Sequence, residues 1–231
     1  EWLPPESFPD LSRYDEIAID LETKDPQLKT MGSGSVTGRG EIVGVAVAVE
    51  DWSGYYPIAH EGGGNMDKKR VMEWFRIILN YPSTKIFHNA MYDVCFIRAA
   101  GLDIKGKIVD TMIAGSLVDE NRFRYDLGSM GRDYVGKGKN ESVLKETADI
   151  WGVDAKSEMY KLPAMYVGEY AEEDAKLTLA LWQEMKKEIL HQDIQSIFDL
   201  ETELFPCLVD MRFLGVRVDI QAANELKDKL S

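Results

Sequence analysis

Three short stretches each place polar, chemically capable residues at spacings that bring them together. They are Asp20 and Glu22 in IAIDLETKD, Asn89 and Asp93 in FHNAMYDVC, and Tyr170 and Asp174 in EYAEEDAKLTLALW. EIAIDLE reads as a buried strand, and residues two apart on a strand project to one side. Asp20 and Glu22 therefore stand together at its end, with Leu21 turned into the core. Two carboxylates so close repel each other unless a cation or hydrogen bonds compensate. The pair is a cation site or a solvated strand terminus. The other two pairs are four apart in helical surroundings, which puts each on one helix face. Alone, each also fits a helix N-cap or a satisfied core hydrogen bond. Tyr170 and Asp174 share their stripe with Leu177 and Leu181, so both need partners when buried. Glu172 and Glu173 point elsewhere and read as solvated.

The tetrapeptide DLET recurs at 199–202. There Ile197, Phe198, Leu204, Phe205 and Leu208 form one apolar stripe at helical spacing, and Asp199 and Glu201 fall about 200° apart around the axis. They cannot share an ion, and that copy reads as a solvated helix face.

The elements that must position these residues follow from periodicity. EIVGVAVAVED and GYYPIAH read as strands in a meander with the first. Between strands one and two, TMGSGSVTGRG (30–40) lacks periodicity and reads as a mobile loop. Val71, Trp74, Phe75, Ile78 and Leu79 predict an amphipathic helix over 67–80. TKIFHN is a strand leading into a helix over 90–100, and GKIVDTMIAGSLV a strand feeding another. A short helix is expected over 125–134 and long ones over 167–190 and 194–214, the last kinked at Pro206. Antiparallel strands followed by alternating strands and helices imply an α/β fold, with a mixed sheet flanked by helices.

At 231 residues the chain suits one well-buried domain plus an appendage. Hydrophobic residues at 45% and charged residues at 29% exclude a disordered chain. No apolar run or leader suggests a membrane span or signal peptide, so the chain is expected to be soluble and intracellular. Cys95 and Cys207 lack CxxC or Cys/His spacing and read as buried free thiols. The net charge of -13 argues against affinity built on phosphate neutralisation along a duplex. Either nucleic acid is not the partner, or a short stretch binds through bound cations. The start at Glu1 without methionine and the stop at Ser231 inside a charged helical stretch suggest a piece of a longer protein.

Taken together, Asp-x-Glu, Asn-x-x-x-Asp and Tyr-x-x-x-Asp in this order resemble the motif set of the 3′–5′ exonucleases with four acidic residues and a tyrosine. Asp110-Thr111-Met112, Asp126-Leu127 followed by Ser129, Gly136-Lys137-Gly138-Lys139-Asn140 and Tyr170-Ala171-Glu172-Glu173-Asp174 are similar to the proofreading domain of bacterial and phage family A DNA polymerases. The likeness runs from about Arg13 onward. The tail LETELFPCLVDMRFLGVRVD resembles the start of the polymerase thumb, and the 31–40 loop is longer than in bacterial examples. The resemblance implies an RNase H-like mixed five-stranded sheet with a C-terminal helical extension. It divides the chain into an exonuclease domain at 1–192 and a truncated thumb at 193–231, with no polymerase motifs.

It also implies a chemistry, phosphodiester hydrolysis with two divalent cations, Mg²⁺ with Mn²⁺ or Zn²⁺ as substitutes. Oxygen-only ligands suit Mg²⁺. Asp20, Glu22 and Asp174 would hold the first ion, Asp20 would bridge to the second, and Asp93 would sit in an outer shell. Tyr170, whose ordinary pKa of about 10 makes a poor base, would orient the attacking water. Asn89 would contact the terminal nucleotide, and Leu21, Met91 and Leu144 would hold its base. The expected partners are the 3′ end of single-stranded or frayed DNA and the polymerase domain of the parent chain. No membrane is involved, and the chain would be a cytoplasmic monomer in a bacterium or phage-infected host. The rival readings are an RNase D-like exoribonuclease and a catalytically silent module. GRDYVGKG lacks the Ser/Thr of a phosphate loop, GSGSVTG is misspaced for a dinucleotide site, and His60, His88 and His191 read as structural or solvated.

Overall fold

The computed structural model describes residues 2–230, so the chain ends Glu1 and Ser231 lie outside the described residues. A five-stranded mixed sheet has the order β3-β2-β1-β4-β5. β1 (Glu16–Lys24), β2 (Glu41–Val49) and β3 (Trp52–Pro57) form the antiparallel meander. β4 (Thr84–Phe87) and β5 (Ile108–Asp110) run parallel to β1. The strand alternation divides the side chains between two cores. Ile17, Ile19, Leu21, Val45 and Val47 enter one core, and Ala18, Ala46 and Ala48 the other. The small residues let a long helix lie close to the sheet. Gly44 is required on that face, because a Cβ there would meet the Tyr55 hydroxyl at 2.0 Å.

Between β1 and β2 the chain forms two single turns, α1 (Leu28–Met31) and α2 (Gly34–Thr37), where a loop was expected. Asp25 accepts from the Gly34 N–H at 3.0 Å, and Tyr92 Oη donates to Asp25 at 3.1 Å. A helical turn here depends on these contacts from outside the segment, which periodicity does not reveal. α3 (Lys68–Leu79) and α4 (Ala90–Ala99) cover the first core, with Val71, Trp74, Phe75, Phe96 and Ile97 buried. α5 (Thr111–Val118), α6 (Leu127–Met130) and a π-helical turn at Gly131–Val135 follow. α7 (Ser142–Trp151), which the sequence reading missed, buries Leu144, Thr147 and Ala148 at helical spacing. After a 3₁₀ turn at Met159–Lys161, α8 (Ala164–His191) crosses the second face of the sheet, three residues longer at its start than expected.

Glu172 is not solvated. α8 brings it to the free edge of β3, where it accepts from Tyr55 N–H at 3.2 Å and from Trp2 Nε1 at 2.8 Å. An exposed strand edge leaves N–H groups unpaired, and this carboxylate satisfies one. Glu173 is paired with Lys137 and Lys176.

α9 (Gln195–Leu214) runs without a break through Pro206, and α10 (Ile220–Leu230) buries no residue. The expected apolar stripe of α9 needs correction. Phe198, Phe205 and Val209 are buried, whereas Ile197, Leu204 and Leu208 are exposed on a flank about 100° away. Asp199 pairs with Lys107 at 2.8 Å rather than standing free. Cys95 is buried, but Cys207, about 200° around from Phe205, is exposed. Among the described residues no helix is long and apolar enough to cross a membrane.

Phe198 packs against Trp182 of α8 with the rings tilted, centroids 5.4 Å apart, so the first turns of α9 belong to the body of the domain. Phe198→Ala is expected to lower unfolding stability by about 3–5 kcal/mol in urea titrations, and Leu204→Ala by less than about 1 kcal/mol.

Candidate active site

β1 lies between an antiparallel and a parallel neighbour, and β4 pairs with it only as far as Ala18. Beyond Ala18, β1 continues beside β2 alone, with Asp20 opposite Ala46 and Glu22 opposite Gly44. The even-numbered positions share the face of Ala18, which is covered by α8. Asp20 and Glu22 thus turn toward α8 at the carboxyl ends of the parallel strands, a common place for a ligand in such sheets. A register shift after Glu22 ends the regular pairing there.

Asp93 arrives from the first turn of α4 and accepts the Leu21 N–H at 3.0 Å, which ties it to the strand residue between Asp20 and Glu22. Asp174 and Tyr170 come from one face of α8. Asp93 is 5% and Asp174 4% exposed. Burial first, and then the other carboxylates, push these groups up. Asp20 rises to about 7, with Asp174 the main neighbour. Glu22 is raised by burial and by Asp20 and Asp174, and Asp93 by burial and by Asp20. Asp174 is raised by burial, although Lys139 opposes the shift. The sequence places these residues in three separate stretches, and the fold makes them one electrostatic unit.

Burial and the nearby carboxylates also raise the Tyr170 phenol. It stays protonated at any ordinary pH and can donate a hydrogen bond, which favours an orienting role over a basic one. Lys139 reaches in from the loop before α7. Its Nζ donates to Asp174 Oδ2 at 2.5 Å and to Tyr170 Oη at 3.0 Å. Burial works against its charge, but Asp174 and Asp20 outweigh burial and raise its pKa, so it is a cation.

The start of α4 is held by a residue that sequence reasoning quoted without assigning a role. Asp110 accepts the Asn89, Ala90 and Met112 N–H groups at 2.8–3.0 Å, joining the N-termini of α4 and α5. Asn89 takes a left-handed conformation, φ 64°, at the N-cap, and its side chain makes no capping bond. It lines a cleft of about 940 Å³ with Asp20 and His88. Arg124, Arg132, Lys139, Lys145 and Lys156 also line this cleft, as do Asp126 and Glu141, the latter paired with Lys145 and Lys156. These basic residues come from segments spread over 33 positions, and only the Lys-Gly-Lys run at 137–139 hinted at them.

Of the three apolar residues expected to hold a base, none lines this cleft. Leu21 is a core residue, Met91 is half-buried against Cys95, and Leu144 packs with Met159, Leu162 and Val167 beneath Tyr170. His60 bonds Tyr55 Oη and the Leu162 carbonyl, and His88 bonds Thr111 Oγ1 and the Tyr125 carbonyl. Burial lowers both imidazoles to about 4, so they are neutral structural groups.

Among the described residues no three acidic, His or Cys side chains enclose an ion as they stand. The donor set nevertheless fits a hard divalent cation. It is all oxygen, self-repelling, buried at Asp93 and Asp174 and half-buried at Asp20 and Glu22, and already closed on one side by an ammonium.

Residues 5–190 match the 3′–5′ exonuclease family. The chain belongs to that family. It is also 34% identical over 228 residues to a DNA-directed DNA polymerase of Pseudomonas phage M6, covering 95% of this chain and 34% of that protein. Identity to DNA polymerase I of Pseudomonas aeruginosa is 30% over 236 residues, covering 95% of this chain and 24% of that protein. The exonuclease chain thus spans about a third or less of these relatives' lengths. Brucella melitensis NrnC with bound Mg²⁺ shares the fold, with a TM-score of 0.62 at 17% identity over 91% of this chain and 92% of that one. The fold is RNase H-like, as the sequence resemblance implied, and the chain is a 3′–5′ exonuclease domain of the DNA polymerase I type.

In chelator, the folded exonuclease retains a proton on Asp20 that the unfolded chain has already released above about pH 4. Raising the pH from about 4 to about 7 therefore removes stability, by up to about 4 kcal/mol. Urea titrations across that range should show the loss, and Asp20→Asn should reduce it without abolishing it, because Glu22, Asp93 and Asp174 are raised as well. Asp110→Ala should cost about 2–4 kcal/mol near neutral pH, because it orphans three backbone donors.

Proposed function

We propose that this domain hydrolyses the terminal phosphodiester at the 3′ end of single-stranded or frayed DNA, with two divalent cations, as the proofreading part of a longer family A DNA polymerase. The observation that carries this reading is the convergence of Asp20, Glu22, Asp93 and Asp174, from three elements, beside the protonated Tyr170, with Asp20 lining a cleft that also holds Arg124, Arg132 and Lys139.

Asp20, Glu22 and Asp174 are the ligands proposed for one ion, with Asp20 shared by the second and Asp93 acting through water. When bound, such ions supply an activated water and neutralise charge on the leaving 3′ oxygen. The remaining work falls to the chain's own groups. The Tyr170 hydroxyl holds the attacking water by a hydrogen bond and does not take its proton. The Asn89 side chain, free of any capping role, faces the cleft where the terminal nucleotide would lie. Arg124 and Arg132 offer donors to the phosphates behind it.

Mg²⁺ is the favoured ion, with Mn²⁺ or Zn²⁺ as alternatives, and the Mg²⁺ in the NrnC structure supports that choice. DNA is favoured over RNA because the similar phage and bacterial proteins are DNA polymerases. Residues 193–231 would begin the thumb of the parent polymerase, and the exposed Leu200, Leu204, Leu208 and Met211 would meet the rest of that protein. A bacterial or phage-infected cytoplasm is the setting these relatives suggest. A mispaired end unpairs at lower cost, so it would reach the site as single strand more often.

The test incubates 5′-labelled single-stranded DNA with the domain, with and without Mg²⁺. A ladder shortening stepwise from the 3′ end is expected, abolished by chelator. Asp20→Ala should slow it by more than about 100-fold, the scale associated with residues that merely support metal ligands. Tyr170→Phe should slow it by about 100-fold, the scale of a misplaced reactant. No cleavage by the unmodified chain would defeat the proposal, and preference for RNA would transfer it to the exoribonuclease reading.

A further inference from the structure

The carboxylate pocket contains a positive charge of its own, and that charge is mounted on a loop. Lys139 is contacted by Asp174 Oδ2 and Tyr170 Oη, its ammonium lies 5.1 Å from the Tyr170 ring centre, and its side chain is only 23% exposed. The contacted Asp174 oxygen belongs to a carboxylate that the proposed function needs as an ion ligand. One oxygen can serve the ammonium or a divalent ion at short range, but the two cations repel if they share it closely.

The loop that carries Lys139 is flanked by glycines. Gly136 ends the π-helical turn with φ 77°, a conformation that glycine adopts without strain. Gly138 lies immediately before Lys139 and packs against Arg132, where a Cβ would meet Arg132 Cγ at 2.9 Å. On the outer side Lys137 pairs with Glu173 at 2.6 Å, so the loop stays attached to α8 when Lys139 moves. Lys139 also lines the 940 Å³ cleft beside Arg132 and Lys145. The same side chain thus reaches both Asp174 and the cleft.

Resting on the two-cation reading, we propose that Lys139 is a tethered stand-in cation. It holds Asp174 and Tyr170 in position when the pocket lacks ions, yields Asp174 to an entering divalent ion, and then donates to a phosphate oxygen of the bound 3′ end. The two states have the same purpose, keeping positive charge beside Asp174 and Tyr170 while the nature of that charge changes. Lys139 is thus a positioning residue in one state and a substrate contact in the other.

The experiment uses the whole 231-residue chain with Lys139→Met and Lys139→Arg. Free Mn²⁺ is followed by electron paramagnetic resonance during titration, and initial rates on single-stranded DNA are measured across salt concentrations. Lys139→Met, with no ammonium to displace, should bind the first Mn²⁺ about 10-fold more tightly than the unmodified chain. At saturating Mn²⁺ its KM for DNA should rise several-fold, and the slope of log KM against log salt should fall by about 0.7, one phosphate contact on single-stranded nucleic acid. Lys139→Arg should restore the KM and the slope. Circular dichroism and a Lys139→Gln variant, expected to follow Lys139→Met, show whether any change reflects misfolding.

Equal Mn²⁺ affinity in the unmodified chain and in folded Lys139→Met or Lys139→Gln would overturn the displacement. An unchanged salt slope would overturn the phosphate contact. If the unmodified chain neither binds Mn²⁺ nor cleaves DNA, the two-cation reading itself is wrong and this inference falls with it.

Discussion

Four carboxylates share one largely buried place, and their mutual repulsion is the constraint around which the domain is organised. Isolated charges removed from water cost several kcal/mol each unless paired; here burial raises all four, and like charge from the cluster adds to it for Asp20, Glu22 and Asp93, while Lys139 opposes it at Asp174. Such a cluster survives only if rigid elements hold it and something positive compensates it. β1 supplies rigidity from the middle of the sheet, between two neighbours. α4 is pinned by Asp110 and by the bond from Leu21 N–H to Asp93. α8 is pinned along its length, from Glu172 on the β3 edge to Lys186 paired with Glu16 at 2.6 Å. Lys139 supplies a positive charge at the centre, paired with Asp174.

The same constraint reconciles a chain of net charge -13 with a polyanionic substrate. Bulk charge governs long-range steering, but binding depends on local potential at distances below the Debye length of roughly 8–10 Å. Arg124 and Arg132 line the cleft together with Lys145 and Lys156, which Glu141 partly neutralises, and two divalent ions among the carboxylates would add positive charge beside them. A short single-stranded end needs only this local field. A long duplex would need a basic surface that this chain does not display in its composition.

What could be read from the sequence followed from period and spacing. The strand carrying Asp20 and Glu22, the amphipathic helix at 68–79 and the face shared by Tyr170 and Asp174 all have strong local periodicity, and the structure has them where expected. The unrelated behaviour of the second DLET was legible for the same reason, since a helix separates what a strand brings together. What stayed hidden depends on contacts remote in sequence. Glu172 has its partners at Tyr55 and Trp2, Asp110 has two of its donors 20 and 21 residues away, and Lys139 meets Asp174 across 35 positions. None of these is encoded in a local pattern. The stripe on α9 was misjudged by one position, about 100° of rotation, because apolar residues occupy both flanks.

The central claim is that the carboxylate cluster is a two-ion site, and anomalous diffraction from crystals grown with Mn²⁺ and a cleavage-resistant phosphorothioate oligonucleotide tests it most directly. The account predicts two manganese peaks about 3.5–4 Å apart. One should be ligated by Asp20, Glu22 and Asp174, the other by Asp20 and a water held by Asp93, with Lys139 withdrawn from Asp174 toward a phosphate. Crystals saturated with Mn²⁺ that show no anomalous peak at Asp20, with Lys139 still on Asp174, would contradict it.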